Sequence, residues 1–447
     1  MNSGIRFVDA NGLGGFMSLG FVDNGMEMVH RTGTLDFGNK MCEANRHLLG
    51  NNWEANFSDE PNDWHVPAGG VEVVMGLPPC SGWSCWTGPA NRGPDAKAHA
   101  HTRAYMSYVG RVAPQMSVLE CVQQAYTQGR EVMNQYRTMV EEISGLQYDL
   151  HHVKMNNLQV GGHSYRPRYF HVLVRQGMPF GTEVEWPERV PTLLETIGDL
   201  ADLYDTWEKQ PYRGEMSRFV ERQRSPAGVV DGHKRLDNLH SQRIVEIFDW
   251  LEQTGEDWRW GEGLSMALKR IYAYHDKLPP LWDNKAEKII AKDFDMGFSL
   301  PYRWAGDVWA NVLTGGCLDM VIHPTRSRCI THREAARIQG LPDDWLIKPA
   351  RTYGPMKDAW GKAVSADAGR WIGRMTRRAL EGNPGQTPGE LIGAREWLHN
   401  TDAGFSRQKA RARYFPGTKG GIVRAYNPSL WPWGKIESEV EEPCEVA

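Results

Sequence analysis

The first 176 residues alternate between short apolar runs and longer amphipathic segments. The runs lie at the start of 5–16, and at 26–34, 71–75, 116–122 and 169–174. Runs of this length, bounded by turn residues, are typical of strands that are buried in a sheet. The alternation therefore predicts an α/β fold with a doubly wound, mostly parallel sheet. Because ligands bind at the carboxyl ends of the strands in such a sheet, a site is expected in the loops that follow the runs.

Residues 181–320 break this alternation. They are rich in tryptophan, arginine, proline and acidic residues, which predicts a second, smaller module. The regular pattern returns at THREAARIQGLPD (331–343), where Thr331 and Glu334 have the spacing of a helix capping box. A further helix is predicted at 364–382.

The composition restricts the class of protein. A chain of 447 residues is long enough for two domains, and 40% hydrophobic and 24% charged residues are typical of a globular, soluble protein. No segment approaches the roughly 18 apolar residues of a membrane helix, and the N-terminus lacks a signal-peptide pattern. The seven scattered cysteines form no CxxC pair, which argues against a disulfide framework and structural zinc. We therefore expect a cytoplasmic protein with no membrane contact and no metal.

The charge is unevenly distributed along the chain. The net charge of −4 and the pI of about 6.4 do not by themselves indicate a nucleic-acid binder. Residues 407–424 are nevertheless strongly basic, whereas the end of the chain, 436–447, has five acidic side chains and no basic one. A positively charged groove is therefore compatible with an acidic total.

The stretch GLPPCSGWSCWTG places Cys80 directly after a predicted strand. Glu120, at the end of the next predicted strand, would bring a carboxyl group beside the thiol at the same edge of the sheet. Thiol chemistry needs a thiolate, exposure and a partner that manages protons. Farther along, Ser164, Arg166 and Arg168 recur at every second position, so in an extended chain they share one face that suits an anion.

Six segments, taken together and in order, resemble the motifs of the DNA cytosine-5 methyltransferases. They are GLGGF (12–16), PPCSGWS (78–84), LECV (119–122), SYRPR (164–168), THREAARIQGLPDDW (331–345) and GKAV (361–364). Any one of these segments alone would be weak evidence, whereas six in the family's order are a strong signal. The intervening module falls where this family has its target-recognition domain.

The resemblance implies a Rossmann-like methyltransferase fold and a reaction on double-stranded DNA. Cys80 would attack carbon 6 of a cytosine that is flipped out of the helix, and Glu120 would bind its N3 and amino group. Arg166 and Arg168 would contact the flipped nucleotide and complete the predicted catalytic set. The resemblance also implies S-adenosylmethionine as the sulfonium cofactor and a restriction-modification or phage setting, and we expect a monomer.

The same motifs indicate the cofactor site and the domain boundaries. The predicted cofactor-binding residues are Asn11, Gly12, Leu13, Gly14, Gly15, Thr34, Asp36, Lys362 and Ala363. The predicted domains are a catalytic domain with cofactor and nucleophile over 1–178 that resumes at 346–380, a target-recognition domain over 179–345, and an extension with an acidic tail over 381–447.

The chain departs from the family mainly on the cofactor side. Ala10 stands where the family has a phenylalanine that packs on adenine, and Thr34 stands where an acid binds ribose, although Asp36 could substitute. Lys362 replaces the asparagine of GNAV, which lies by the methionine part of the cofactor. A lysine about 5 Å from a sulfonium would cost roughly 3 kcal/mol at an effective dielectric near 20.

This lysine would suit a donor that carries a carboxylate. Carboxy-S-adenosylmethionine is such a donor, and its product would be 5-carboxymethylcytosine. Alternatively, Lys362 extends to solvent or pairs with the carboxylate of the ordinary cofactor. The sequence leaves these two interpretations open.

Other interpretations differ in the type of function. The protein could be a DNA-binding relative without catalysis, which the presence of both Cys80 and Glu120 disfavours. It could also modify free nucleotides, which activity on deoxycytidine monophosphate would reveal. The large middle module favours DNA over a tRNA substrate.

Overall fold

The computed structural model forms two compact units. The described residues are 4–34, 38–84, 89–91, 93–183, 187, 190–201, 239–283, 301–313, 320–326, 329–347 and 359–386. The first unit comprises those within 4–187 and 339–386, and the second comprises those within 190–338. Asp36, the basic stretch 407–424 and the acidic tail lie outside the described residues. The predicted domain boundaries stay predictions.

The first unit is built on one sheet with the strand order β3–β2–β1–β4–β5–β7–β6. Its strands are β1 Arg6–Ala10, β2 Glu27–Gly33, β3 Glu54–Phe57, β4 Val73–Gly76, β5 Met116–Cys121, β6 Tyr148–Asn156 and β7 Pro167–Arg175. The pairs among the first five strands are parallel, and β7 is antiparallel to β5 and β6. The prediction of a doubly wound, mostly parallel sheet is thus confirmed. The strand order reverses beside β1, where such sheets open a ligand-binding crevice.

Helices cover the sheet, and further helices lie in the described part of the second unit. In chain order they are α1 Phe16–Asp23, α2 Asn39–Ala44, α3 Arg46–Leu49, α4 His99–Val112, α5 Gln123–Thr127, α6 Arg130–Ser144, α7 Leu193–Ile197, α8 Leu239–Glu252, α9 Leu264–His275, α10 His332–Ile338 and α11 Ala366–Leu380. On α6 the buried residues Met133, Tyr136 and Val140 recur at helical spacing, so one stripe of the helix faces the core.

Two glycines allow α1 and α11 to pack against each other in the first unit. A β-carbon on Gly20 would overlap the backbone of Gly369, and one on Gly369 would lie 2.8 Å from the carbonyl oxygen of Met17. Larger side chains at these positions would push the helices apart. The α11 segment is therefore an integral part of the sheet-bearing unit, although it is distant in sequence.

The second unit has its own apolar core and a short parallel pair, β8 Tyr302–Arg303 with β9 Val321–Ile322. Beside α9 the buried carboxylate of Glu262 accepts from Nε and Nη2 of Arg270, each at 2.8 Å. At the start of α10, Thr331 and Glu334 exchange backbone-to-side-chain hydrogen bonds of 2.8 and 3.2 Å. The predicted capping box is thus present.

Helices in the described stretches are all too short or too polar to cross a lipid bilayer.

Candidate active site

Cys80 lies in the loop that follows β4, at the carboxyl edge of the sheet, and is partly buried. Its carbonyl oxygen accepts backbone N–H bonds from Trp83 at 2.9 Å and Ser84 at 3.1 Å, which turns the chain just after the thiol. Trp83 is buried and packs against the ring of His99, with 4.5 Å between ring centroids. The loop on the far side of Cys80 is therefore anchored to the start of α4.

Glu120 lies on β5, beside β4, and forms an ion pair with Arg168 across the sheet. The register places Glu120 opposite Phe170 of β7, so Arg168, two residues away, projects from the same face. Its Nε lies 2.8 Å from a Glu120 carboxylate oxygen. Burial raises the pKa of Glu120, while the charges of Arg168 and Arg166 lower it.

The three groups influence one another through their charges. Burial, and then the Glu120 charge, raises the pKa of the Cys80 thiol to about 11, while Arg168 acts in the opposite direction. A neighbouring negative charge disfavours a thiolate and a neighbouring cation favours it. The structure therefore brings the predicted nucleophile, carboxyl and one arginine together in one polar cluster.

Arg166 is fully buried and binds the chain that follows the second unit. Its Nη2 donates to the carbonyl oxygens of Gly361 at 2.8 Å and Ala363 at 2.6 Å. Lys362, between them, is exposed, and Ala363 is buried. Arg166 thus positions the segment that carries the predicted cofactor residues, and its predicted contact with a flipped nucleotide stays a prediction.

The glycine turn joins β1 to α1 and has left-handed backbone angles. The φ angles are 62° at Asn11, 72° at Gly14 and 80° at Gly15, and α1 begins at Phe16 as predicted. Leu13, the remaining residue of the turn, is half-buried. Left-handed angles suit glycine because they bring the side chain of other residues too close to the backbone.

A buried ion pair between β1 and β2 contacts this turn. Asp9 and Arg31 are register partners on β1 and β2, and Nε of Arg31 lies 3.1 Å from Oδ2 of Asp9. Arg31 also donates to the carbonyl oxygen of Gly12 at 2.6 Å, and Ser18 of α1 donates to Asp9 at 2.6 Å. A β-carbon at residue 12 would overlap the Asp9 carboxylate, so Gly12 makes room for this pair.

Thr34 directly follows β2 and is bound on two sides. Its backbone N–H donates to Oδ1 of Asn11 at 2.9 Å. Its hydroxyl lies 3.0 Å from Nδ1 of His101 on α4. The predicted cofactor residues Asn11 and Thr34 are therefore in direct contact, whereas Asp36 lies outside the described residues.

Aromatic side chains fill the space behind the glycine turn. Phe16 stacks on Trp360 with 5.4 Å between ring centroids and meets Trp345 edge-on at 5.8 Å. Ala10, at the end of β1, is fully buried. This cluster joins the first turn of α1 to the segments on either side of residues 348–358.

Three side chains of this region are not predicted from the sequence: Asp9, Arg31 and His101. Asp9 gave a signal, because it directly follows the apolar pair Phe7 and Val8 in β1. Arg31 gave none, since β2 also contains Glu27, His30 and Thr32. His101 gave none, since nothing in its helical context distinguishes it from a solvated histidine. Among the described residues, no group of three or more His, Cys, Asp or Glu side chains has the arrangement of a metal site.

A sequence profile of the C-5 cytosine-specific DNA methylases matches residues 6–377, which is most of the chain. The chain belongs to this family. The family implies S-adenosylmethionine as the cofactor.

Two bacterial relatives are similar over about two thirds or more of their length. Type II methyltransferase M.DdeI of Desulfomicrobium norvegicum is 22% identical over 303 residues, covering 66% of this chain and 68% of that protein. Type II methyltransferase M1.HphI of Haemophilus parahaemolyticus is 22% identical over 357 residues, covering 77% and 79%. The rice DNA (cytosine-5)-methyltransferase CMT2 is 25% identical over 392 residues, but the match spans only 28% of that longer protein.

A solved structure supports the same fold. A putative DNA modification methyltransferase encoded within an E. coli prophage superimposes with a TM-score of 0.53, covering 84% of this chain and 99% of that one. The sequence identity is 16%, so the similarity concerns the fold alone. The fold is the mostly parallel, Rossmann-like methyltransferase fold.

Proposed function

We propose that this protein transfers a methyl group from S-adenosylmethionine to carbon 5 of cytosine in double-stranded DNA. The observation that carries the proposal is the cluster of Cys80, Glu120 and Arg168 at the carboxyl edge of the sheet, where the glycine turn also lies. Family membership supports the choice of cytosine and of carbon 5. A cytosine inside a duplex is not accessible to a thiol in a loop, so the base is flipped out of the stack.

Each side chain of the cluster has a role that its surroundings suit. The Cys80 thiol gives its proton to solvent, and the thiolate sulfur then bonds to carbon 6 of the ring, which makes carbon 5 nucleophilic. Glu120 binds N3 and the amino group: the carboxylate accepts from the amino group, and the raised pKa that burial gives the carboxyl group eases its protonation when it donates to N3. Arg168 holds this carboxyl group in place. After transfer, the carbon-5 proton leaves to solvent and Cys80 departs as the thiolate.

The residues around the glycine turn fit the proposed cofactor. Asn11 is 5% exposed, and its carboxamide NH2 has no hydrogen-bond partner among the described residues. A buried donor of this kind is costly unless a ligand accepts its hydrogen bond. Asn11, Gly14, Gly15 and Thr34 would hold S-adenosylmethionine, which supplies an electrophilic methyl group when bound.

The second unit is the proposed target-recognition domain. It lies in the chain between the two parts of the sheet-bearing unit, and the family profile extends across it. Sequence readout in DNA depends on a few side chains that reach base edges. The target site would therefore differ from that of relatives with a different second unit.

A second candidate is carboxymethyl transfer from carboxy-S-adenosylmethionine. Its basis is Lys362, which lies between Gly361 and Ala363 on the segment whose carbonyl oxygens Arg166 binds. An ammonium group there would pair with a carboxylate on the donor. The Lys362→Asn variant tests this candidate: its preference between the two donors should shift toward S-adenosylmethionine, and an unchanged preference would exclude the carboxymethyl reaction.

Mass spectrometry of nucleosides from treated DNA tests the proposal. DNA of varied sequence is incubated with the protein and either donor, and Cys80→Ala serves as the matched control. We expect a methyl-sized gain on deoxycytidine that the Cys80→Ala variant does not produce. A gain on deoxycytidine monophosphate without any gain on DNA would instead make the protein a nucleotide-modifying enzyme. Donor binding without any gain would favour a non-catalytic DNA-binding relative.

A further inference from the structure

A cavity of about 310 Å³ lies in the first unit toward the amino ends of β1, β2 and β3. The first residues of these strands, Arg6, Glu27 and Glu54, all line it. The glycine turn and the cluster around Cys80 lie at the carboxyl ends of the strands, so this cavity belongs to neither site. Its volume is that of a site for a small molecule.

The tautomer of His30, which also lines the cavity, is fixed by a neighbouring amide. Nε2 of His30 lies 2.8 Å from Oδ1 of Asn56. The orientation of this amide follows from its other contacts, because Oδ1 accepts the backbone N–H of His65 at 3.2 Å and Nδ2 donates to the carbonyl oxygen of Asp63 at 2.8 Å. An amide oxygen only accepts, so Nε2 of His30 carries the proton and Nδ1 of the neutral ring is an acceptor.

Nδ1 of His30 is an acceptor that lacks a donor. His30 is 3% exposed, and its Nδ1 receives no hydrogen bond from the described residues. Burial lowers the pKa of His30 and His65 adds to this effect, while Asn56 and Glu54 oppose it, so the ring is neutral at neutral pH. Buried polar atoms are usually paired, so this nitrogen points to a ligand that donates a hydrogen bond.

The charges around the cavity favour a cation. The carboxylates of Glu27 and Glu54 form no ion pair with another described residue. The guanidinium of Arg6 donates instead to the carbonyl oxygens of Gly70 at 2.9 Å and Ala68 at 3.3 Å. Two carboxylates against one guanidinium leave the lining negative, and a cation in the cavity would supply the missing partner.

We propose that this cavity binds an aliphatic diamine or polyamine, with an ammonium group that donates to Nδ1 of His30 and pairs with Glu27 and Glu54. An ammonium group offers three donors and a positive charge, which matches one nitrogen acceptor and two carboxylates. The methylene groups of the ligand contact Val29 and Pro67, the apolar part of the lining. A metal ion fits less well, because no group of three or more His, Cys, Asp or Glu side chains among the described residues has the arrangement of a metal site.

Calorimetric titration of the full chain without DNA, at low salt, tests the proposal. The probe is putrescine, and a butanediol with hydroxyl groups in place of both amines is the neutral comparison. Putrescine should bind with one-to-one stoichiometry and the diol should not bind at the same concentration. His30→Phe keeps a ring but removes the acceptor, and should lose at least about tenfold in affinity for putrescine. Glu27→Gln and Glu54→Gln should each lose roughly two- to fivefold, because both carboxylates are exposed.

Glu142→Gln is the matched control, because it removes a negative charge from α6 outside the cavity and should leave putrescine affinity unchanged. Thermal melts show whether each variant is folded. If His30→Phe does not fold, the two exposed glutamate variants decide the question. Putrescine binding that is equal in the wild type and in the cavity variants would overturn the site and indicate attraction to acidic surface in general. The absence of putrescine binding by the wild type, or equal binding of the diol, would also overturn it.

Discussion

Nε of Arg168 lies 2.8 Å from the carboxylate of Glu120, and both charges act on the Cys80 thiol. Burial raises the pKa of that thiol most, Glu120 raises it further, and Arg168 lowers it. Removing either charge should therefore change thiol reactivity, and the two changes should have opposite signs.

The first prediction concerns alkylation of Cys80 by iodoacetamide at pH 9, followed by mass spectrometry of its peptide. Glu120→Gln should react several-fold faster than the wild type, because loss of the negative charge lowers the thiol pKa. Arg168→Met should react more slowly. The wild-type rate should rise as the pH approaches about 11, the pKa of the thiol.

Buried Cys42 and Cys329 supply an internal reference, because their labelling reports any general loosening of the fold. Glu120→Gln should at the same time lose at least about a hundredfold in DNA methylation, since a positioned acid or base contributes on that scale. If the alkylation rate changed by the same factor and in the same direction in Glu120→Gln and Arg168→Met, the electrostatic account would be contradicted.

The second prediction concerns the ion pair under the glycine turn. Arg31→Met leaves the Asp9 carboxylate buried without its partner, so the free energy of unfolding in urea should fall by about 3–5 kcal/mol. The double variant Asp9→Leu/Arg31→Met removes both charges and should recover most of that loss. The free energy of unfolding alone, however, does not show whether the ion pair also positions the glycine turn.

Calorimetry with S-adenosylhomocysteine supplies that second readout. The double variant should still bind the ligand more weakly than the wild type, because the Gly12 carbonyl oxygen has lost its donor from Arg31. Wild-type affinity in a stable double variant would mean that the pair stabilises the fold without positioning the turn.

The third prediction concerns the second unit. Arg270→Met leaves the Glu262 carboxylate, which is 2% exposed, without its two 2.8 Å hydrogen bonds. Unfolding should then require about 3–5 kcal/mol less free energy, and Glu262→Gln/Arg270→Met should be less affected than the single variant. Arg259→Ala is the control, because this arginine is exposed and its backbone N–H still donates to Glu262. A full loss in that control would contradict the assignment to Arg270.

The fourth prediction concerns the contact of α1 with α11. Gly369→Ala should destabilise the protein by about 1–3 kcal/mol, because the new β-carbon meets the backbone of Met17. This loss should exceed the gain of roughly 1 kcal/mol in helix propensity. Gly373→Ala, where the nearest atom would be 3.0 Å away, should cost less in the same thermal melt. A larger loss of stability in Gly373→Ala than in Gly369→Ala would contradict this account of the helix contact.

The sequence predicted the strands whose apolar side chains are buried on both faces. All residues of β4 and β5 are buried. Both strands are mostly apolar and contain only a few small or polar residues. Strands β3 and β6 were not predicted, because EANF and YDLHHVKMN mix polar and apolar residues and several of them remain exposed. An outer strand needs less apolar surface, which makes its pattern weaker.

The parts of the site that the sequence predicts are likewise those that depend on local patterns. The proximity of Cys80 and Glu120 follows from parallel strands that end at one edge. The pairing of Asp9 with Arg31 depends on the register of β1 against β2, which no local pattern encodes. His101 is reached only through the tertiary contact with Thr34.

The segment THREAARIQG contains the boundary between the two compact units, which falls between Ile338 and Gln339. Arg337 of α10 donates to Asp199 and to the carbonyl oxygen of Thr196, both in the second unit. Gln339 instead receives the backbone N–H of Ala366 at 2.8 Å, within the first unit. A chimaera that exchanges the second unit between family members should therefore carry α10 with the graft and be joined at Gln339. If the junction lay upstream of α10, this helix would come from one family member and the residues that Arg337 contacts, Asp199 and Thr196, from the other.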